Sequence, residues 1–274
     1  MYWNHKIEQQ DIPSKADFLV QVTTYVNNFV GGEVSGEVIR QLVNYTHLYT
    51  AEQESPALHR DFGQFVQDHE FLTAVVFEKL SLFPKIVGIC GTYYAMQYFE
   101  PLTKNPMQPF NLSWRSKLWR ALDMIKYLGL LETSGREPLH LCDVKHDHFG
   151  WDERGRLSFL DLDSVLSETF LLRTMQDTPH CDTHHDCSYF DCQGRCHLRT
   201  HRCHLQRTNT NLQVVCDKVF LGHTASLLSL YGLLVSSEAS QDLQDALHLC
   251  STNKGMTVDS MTDILTRASN ALMF

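Results

Sequence analysis

The sequence lacks a hydrophobic run long enough to enter a membrane. Its longest apolar stretch, ASLLSLYGLLV at 225–235, is shorter than the roughly 18 uninterrupted apolar residues of a membrane span and fits a buried helix instead. The first residues, MYWNHKIEQQD, also lack the apolar segment and the small-residue cleavage site of a signal peptide. Taken alone, these two absences would place the chain in the cytosol.

Positive charge is scarce as well. The chain carries 23 Lys and Arg against 32 Asp and Glu, a formal net charge of −9, and its basic residues form no long run. Because binding to nucleic acid or to anionic membrane surfaces needs concentrated positive charge, we expect neither as a partner. With 43 % apolar residues in 274 positions, the chain can bury a substantial core as one large domain or two unequal lobes.

Cysteine, by contrast, is abundant, and its placement argues against the cytosol. Of the nine cysteines, seven lie at or after position 181, and five of these fall within 23 residues. Such density is typical of a disulfide-bonded segment in an oxidising compartment. Sequons at Asn44 and Asn111 agree weakly with this placement and predict a glycoprotein.

The cysteine-rich segment has two possible interpretations. Six histidines are interleaved with its cysteines, which allows a zinc site, but the spacings do not repeat a paired C-x2-C pattern, so we favour disulfides. Seven cysteines leave one without a local partner, which we expect a part of the protein preceding this chain to supply. We expect Cys90 and Cys142, in predicted strands, to be buried small apolar residues. The expected disulfide cysteines are Cys181, Cys187, Cys192, Cys196, Cys203 and Cys216.

Hydrophobic periodicity predicts a mixed order of helices and strands. Apolar residues at helical spacing predict helices over 65–80 and 113–131, and β-branched and aromatic residues in KIVGICGTYYAMQYF predict two strands joined by a tight turn between them. A mixed helical region with a glycine-bearing turn precedes these elements at 15–50. Beyond residue 139 the pattern predicts a strand, a loop, a hairpin turning at 152–155, and three helices, at 211–236, 240–250 and 257–272.

The stretch LCDVKHDH, residues 141–148, carries the residue types of a phosphoryl-transfer loop. In protein kinases, an aspartate of this loop takes the proton of the substrate hydroxyl and a lysine two residues later neutralises the transferred group. Asp143 and Lys145 match these positions. Asp161 follows His148 by thirteen residues, the distance that the metal-binding aspartate needs after a two-strand hairpin. We therefore assign Asp161 as the principal metal ligand.

A second kinase-like string, HRDFG at 59–63, is a decoy. It merges the catalytic-loop and metal-loop signatures, whose aspartates do different work on different loops. One aspartate cannot serve both roles, so we predict that Asp61 lies outside the site, in a polar turn before a helix.

Three stretches show a family resemblance: LCDVKHDHFGWDERGRLSFLDLDSV, HCDTHHDCSYFDCQGRC and NLQVVCDKVF. They closely resemble the divergent protein kinase domain 1 family, the cysteine-rich kinase-like proteins of the endoplasmic reticulum. The resemblance covers roughly residues 60 to 270 and is strongest over 141–220. It implies a protein-kinase fold on the lumenal side of that membrane, in a type II protein whose signal anchor this chain does not show.

The resemblance also implies residues for nucleotide binding. Met96 would be the gatekeeper, and the backbone of Gln97 and Tyr98 would face adenine, although ordinary strand packing explains Met96 and Tyr98 equally well. A helix glutamate should pair with the lysine that grips the nucleotide phosphates. We place Glu70 slightly ahead of Glu78 in this role, and either could instead be a solvated helix charge.

Three departures from the kinase pattern put catalysis in question. His148 replaces the second metal-binding asparagine, and imidazole suits manganese or zinc better than magnesium. Asp163 replaces a glycine, where it could hold metal or pair with a basic neighbour. No lysine occurs between positions 16 and 78, so the phosphate-gripping lysine is missing. GGEVSGEV, at 31–38, imitates a phosphate loop, but we interpret it as a turn or a helix start.

These observations define the expected fold and domains. We expect an α+β, protein-kinase-like fold with a mostly helical C-lobe, a reduced N-lobe and a disulfide-rich segment in place of the activation loop. Residues 1–60 would be a remnant of the N-lobe whose front is missing, and 61–274 the kinase-like domain. Within that domain we distinguish the catalytic-loop region at 141–163, the cysteine-rich segment at 181–216 and C-terminal helices at 217–272.

Two functions remain open. The first is a pseudokinase, acting as a scaffold or binding module for an unidentified lumenal protein. The second is an active lumenal kinase that transfers the γ-phosphoryl group of ATP, with magnesium or manganese, to a protein or glycan hydroxyl. We expect no EF-hand calcium site, because the pattern D-x-[DN]-x-[DN]-G occurs nowhere.

Overall fold

The computed structural model describes residues 15–45, 63–105, 110–223, 231–252 and 255–272. These residues form an α+β structure of helices and small antiparallel sheets of two or three strands. Within the described ranges, no helix combines the length and the apolar character needed to cross a bilayer. Asp61, and residues 225–230 of the apolar stretch expected in a buried helix, lie outside the described residues.

Two helices open the described chain, α1 (Lys15–Val30) and α2 (Gly36–Tyr45). The turn between them begins at Gly31, whose φ of +72° favours glycine, and a Cβ there would lie 2.3 Å from Thr169 Cβ. GGEVSGEV is therefore a helix end, a turn and a helix start, as interpreted from the sequence. Arg173 donates to the Asn28 carbonyl, which ties α1 to the helix that carries Thr169.

The helix predicted over 65–80 is divided. Residues 63–67 are helical, α3 spans His69–Val76, and a 3₁₀ turn follows at Glu78–Leu80. The division falls at Asp68, whose carboxylate accepts a hydrogen bond from Phe71 N at 3.0 Å and so caps α3. The predicted continuous helix is wrong, although its apolar face is buried as expected.

The strand predictions that follow are confirmed. β1 (Ile86–Cys90) and β2 (Tyr93–Met96) pair as an antiparallel hairpin that turns at Gly91, where φ is +58°. β3 (Glu100–Pro101) then pairs with β5 (Phe149–Trp151), which pairs with β6 (Leu157–Phe159). A second two-strand sheet joins β4 (Leu139–Leu141) to β7 (Val165–Ser167). β4 and β7 therefore flank the 141–163 region, and β5 and β6 lie within it.

The long helix α4 (Trp114–Thr133) forms the centre of the core. It begins at Ser113, whose side chain accepts a hydrogen bond from Ser116 N, and it buries one apolar stripe completely. The buried Tyr127 hydroxyl donates to the Leu82 carbonyl at 3.0 Å and accepts from Phe159 N at 3.2 Å. α4 thus connects the segment before β1 with the β5–β6 hairpin.

The C-terminal helices differ from the prediction at one place. α5 (Glu168–Gln176) precedes the cysteine-rich segment, and α6 (Asn211–Val215) continues as a π turn at Cys216–Phe220. Instead of continuing to 236, the chain folds back, with Leu233 N donating to Val219 O at 2.8 Å and Leu234 N to Phe220 O at 3.0 Å. The prediction of one continuous helix over 211–236 is therefore wrong, since the helical turns end at Phe220. α7 (Gln241–Thr252) and α8 (Val258–Asn270) agree with the prediction.

Four disulfides cross-link this fold, and each of the six cysteines expected in bridges is in one. The pairs are Cys142–Cys192, Cys181–Cys196, Cys187–Cys203 and Cys216–Cys250. Cys142 is buried as expected, but it is the bridge partner of Cys192 rather than a free apolar residue. Of the seven cysteines at or after position 181, the odd one is Cys192, and its partner, Cys142, lies inside the chain. This corrects the expectation of an external partner. Cys90 is exposed and unbridged, not buried.

Candidate functional site

Backbone pairing brings the two predicted loops together. β4 lies antiparallel to β7, with Leu141 opposite Val165, and Cys142 N donates to Ser164 O at 3.1 Å. The loop after β4 therefore begins beside the end of the loop before β7. The β5–β6 hairpin joins them and returns the chain from the first loop to the second.

Asp143 and Lys145 form a pair at the start of this region. The flanking Cys142 and Val144 are buried, so the alternating chain directs Asp143 and Lys145 toward the surface. Lys145 Nζ donates to Asp143 Oδ2 at 2.8 Å, and this hydrogen bond raises the pKa of Lys145. The ammonium group stays charged at neutral pH next to the carboxylate.

Asp161 and His148 complete the cluster. His148 Nδ1 lies 2.9 Å from the Asp143 carbonyl oxygen and 3.1 Å from Asp161 Oδ2. One ligand atom from each of Asp143, His148 and Asp161 lies within 4.8 Å of the other two. Burial raises the pKa of Asp161, while His148 and Lys145 oppose the shift. Two carboxylates and one imidazole at this separation could hold a divalent cation.

Asp163 does not join this cluster. It is exposed, in the 3₁₀ turn Leu162–Ser164, while the neighbouring Leu162 and Ser164 are buried. Its charge nevertheless contributes to the raised pKa values of Asp161 and Glu70. Of the three metal ligands proposed from the sequence, the structure brings Asp161 and His148 together with Asp143 and leaves Asp163 beside them.

A partly buried ion pair supports the backbone of the Asp143 loop. Asp191 Oδ2 accepts a hydrogen bond from Val144 N at 2.8 Å, and the same carboxylate pairs with Lys218 Nζ. The Asp191 N–H donates in turn to the Cys142 carbonyl at 2.6 Å. Asp191 directly precedes Cys192, which forms a disulfide with Cys142. The sequence reasoning missed Asp191 and Lys218, since only the Cys142–Cys192 pairing would have shown that they lie near Asp143.

Glu70 has a different partner from the one that a kinase helix glutamate needs. It lies on α3, which packs against the turn at Leu162–Ser164. The Tyr94 hydroxyl lies 3.2 Å from Glu70 Oε2 and 3.2 Å from Asp68 Oδ2, so it can bond either carboxylate. Burial raises the pKa of Glu70 despite the bond from Tyr94. Glu78 lies beyond the end of α3, in the 3₁₀ turn. Sequence reasoning did not identify Tyr94.

The predicted adenine-binding segment follows β2. Met96 is partly buried against the core, and Tyr98 is 70 % exposed. The backbone N–H of Gln97 donates to the Lys85 carbonyl at 2.8 Å. The side-chain oxygen of Gln97 accepts from Arg156 Nη2 at 3.0 Å. The Gln97 N–H is therefore already used, which leaves the carbonyl of Gln97 and the backbone of Tyr98 as candidates to bind a base.

A surface groove of about 410 Å³ lies apart from this cluster. It follows the start of α4, where Arg115, Trp119 and Asp123 line it, and reaches Gly155 in the hairpin turn. None of the predicted site residues lines this groove. The chemistry of the Asp143 cluster, rather than the size of a cavity, identifies the candidate site.

Comparison with known families gives an independent result. Residues 63–253 match the family model described as the protein-kinase domain of FAM69. The match covers well over half of the chain and includes every candidate residue from Glu70 to Asp163, together with all four disulfides. It agrees in extent with the resemblance to a divergent kinase family that the sequence motifs indicated.

Proposed function

The chain belongs to the family of FAM69 protein-kinase domains, and on this premise we propose that it is a pseudokinase, a kinase-like binding module that does not transfer phosphoryl groups. The observation that carries the proposal is the environment of Glu70. An active kinase pairs this glutamate with a lysine that grips the nucleotide phosphates. Here the Tyr94 hydroxyl bonds it instead. Burial and the neighbouring carboxylates raise the pKa of Tyr94, so the hydroxyl stays neutral and does not supply the positive charge with which a lysine grips phosphate.

The contact between His148 and Asp161 supports the same proposal. The Asp161 oxygen that would bind a metal lies 3.1 Å from Nδ1 of His148. His148 stands in the position where kinases have an asparagine. The donor set of two carboxylates and one imidazole fits Mn²⁺ better than Mg²⁺. In this chain, Asp143 and Asp161 act first as structural carboxylates, the former holding Lys145 and the latter holding His148.

One observation favours the alternative, an active kinase. Asp143, Lys145 and Asp161 keep both the residue types and the proximity that phosphoryl transfer needs. In that case Asp143 would accept the proton of a protein or glycan hydroxyl, Lys145 would contact the transferred group and Asp161 would hold the metal. A bound divalent cation would neutralise the nucleotide phosphates.

The architecture and the location belong to the same proposal. We assign α4 and the helices after it to a C-lobe, the β1–β2 hairpin and α3 to a reduced N-lobe, and the cysteine-rich segment to the place of an activation loop. Four disulfides favour an oxidising compartment such as the lumen of the endoplasmic reticulum. The sequon residues Asn44 and Asn111 are both exposed, which favours glycosylation there. The natural partner would be a lumenal protein.

A phosphoryl-transfer assay tests the proposal directly. Protein from a secretory expression host would be incubated with labelled ATP and Mg²⁺ or Mn²⁺, alone and with protein and glycan acceptors. We expect no product above the background of an Asp161→Asn variant. Product that is lost in Asp143→Asn and Asp161→Asn, but kept in the matched Asp163→Asn control, would establish the active kinase instead.

A thermal-shift measurement on the same proteins shows whether nucleotide binds without turnover. A ligand at a hundred times its dissociation constant adds about 2.7 kcal/mol of apparent stability, so weak binding is detectable. We expect any shift with ATP to need Mn²⁺ more than Mg²⁺ and to disappear in Asp161→Asn. Absence of a shift at millimolar nucleotide would direct the search to protein partners.

A further inference from the structure

The cysteine-rich segment carries a second cluster of metal-ligand side chains, distinct from the Asp143 cluster. His180, Asp182 and His201 are all exposed, and one ligand atom of each lies within 4.8 Å of the other two. With its cysteines in disulfides, this segment cannot bind zinc through thiolates. Its histidines remain free to act as ligands.

The three side chains converge on one carboxylate oxygen. Asp182 Oδ1 lies 3.1 Å from His180 Nε2 and 3.1 Å from His201 Nδ1. In a tetrahedral zinc site with bonds of about 2.0–2.1 Å, two ligand atoms lie about 3.3 Å apart. The observed separations therefore match the edges of such a site before any ion is bound. The two imidazole rings stack nearly parallel, with centroids 4.6 Å apart.

A backbone carbonyl lies beside this group. The Cys181 carbonyl oxygen lies 3.0 Å from His201 Nδ1, the nitrogen that also faces Asp182. The three side-chain ligand atoms, two imidazole nitrogens and a carboxylate oxygen, lie within 4.8 Å of one another. Imidazole ligands suit borderline cations of the zinc type, whereas Mg²⁺ and Ca²⁺ prefer all-oxygen sites.

Cross-links hold these groups in position. Cys181 lies between two of the ligands and is buried in its bridge to Cys196, so His180 and Asp182 both face away from it. Cys181 N donates to the His201 carbonyl at 3.1 Å, which joins the two strands of chain directly. The Asp186 carboxylate accepts from Asp182 N at 2.8 Å. A site held in this way loses little conformational entropy on binding.

We propose that His180, Asp182 and His201 form a surface site for a divalent cation of the zinc type. Water would complete the coordination, because all three side chains are open to solvent. The site stands on the cysteine-rich segment and does not depend on whether the Asp143 cluster binds nucleotide.

Isothermal titration of the metal-free protein with Zn²⁺ alone tests this proposal. The parent protein would carry Asp161→Asn, so that the Asp143 cluster does not contribute to the signal. The test variants are Asp182→Asn, which removes the charge, and His201→Asn, because asparagine tolerates the left-handed backbone at that position, where φ is +52°. His204→Asn is the matched control, since His204 is an exposed histidine of the same segment outside the cluster.

We expect one Zn²⁺ to bind the parent and the control, with at least tenfold weaker binding in both test variants, and we expect excess Mg²⁺ not to compete. Intact-mass analysis of the disulfides and the melting temperature of each metal-free protein would show that the variants fold. The proposal would be overturned if the parent failed to bind Zn²⁺, if both test variants bound it as the parent does, or if His204→Asn alone abolished binding.

Discussion

Replacing Asp191, whose carboxylate supports the Asp143 loop, should destabilise the protein substantially. The Asp191 carboxylate is 14 % exposed and accepts the Val144 N–H, while it also pairs with Lys218, which is 28 % exposed. A hydrogen bond to a charged group contributes about 1.5–3 kcal/mol, and breaking a buried ion pair on one side costs about 3–5 kcal/mol. Because Lys218 keeps some contact with water, we expect Asp191→Ala to lie near the lower end of the second range, at about 3 kcal/mol.

A double-mutant cycle separates the ion pair from the hydrogen bond. Asp191→Asn retains an acceptor for Val144 N–H and loses only the charge, so it should cost about half as much as Asp191→Ala. Combined with Lys218→Met, it should show a coupling energy of about 1–3 kcal/mol.

Urea denaturation under non-reducing conditions, with unchanged m-values, provides these free energies. The exposed carboxylate of Asp186 provides a matched control, since Asp186→Asn also removes a charge and keeps an acceptor, but lies outside the ion pair. A cost below about 1 kcal/mol for Asp191→Ala, or no coupling to Lys218, would refute the view that this pair supports the loop.

Three further perturbations test other parts of the structure. Replacing both Cys142 and Cys192 by serine opens a loop of 50 residues, which should lower the free energy of unfolding by about 4 kcal/mol in urea denaturation; a cost no larger than that of reducing Cys181–Cys196 would contradict this. Because the pKa of Glu70 is raised in the folded state, ionisation of Glu70 opposes folding above its ordinary value of 4.5. Glu70→Gln should therefore raise the melting temperature at pH 7, with the gain disappearing as the pH falls below that value; an equal gain at pH 4 would argue against the shift. Gly194→Ala would place a Cβ 2.2 Å from a backbone carbonyl of the cysteine-rich segment, so we expect a sharp fall in secreted, correctly bridged protein, measured by non-reducing electrophoresis.

The part of the site that the sequence predicted is the part that local chain geometry determines. Asp143, His148 and Asp161 belong to one loop, hairpin and loop, so their spacing and the hairpin signal suffice to place them near one another. The β1–β2 hairpin and α4 were predictable for the same reason, since periodicity, Gly91 and the Ser113 cap are all local signals.

The rest depends on contacts between distant parts of the chain. Asp191 reaches Val144 across 47 positions, and no spacing rule connects them. Cys142 resembled a buried strand cysteine because its partner lies 50 residues away. The continuous helix expected over 65–80 failed for a different reason, because the cap provided by Asp68 outweighed an apolar pattern that spans both halves. Secondary-structure periodicity cannot distinguish a long helix from a broken one that buries the same face.

The Cys142–Cys192 bridge also has a topological consequence. It closes a covalent ring that begins one residue before Asp143 and contains Lys145, His148 and Asp161, as well as α5. A protease that cuts once inside the ring, for example in the exposed hairpin turn at 153–155, leaves both halves of the site joined to the rest of the molecule. Nicked protein would therefore migrate as a single species until it is reduced, and its site residues would remain on one covalently linked body.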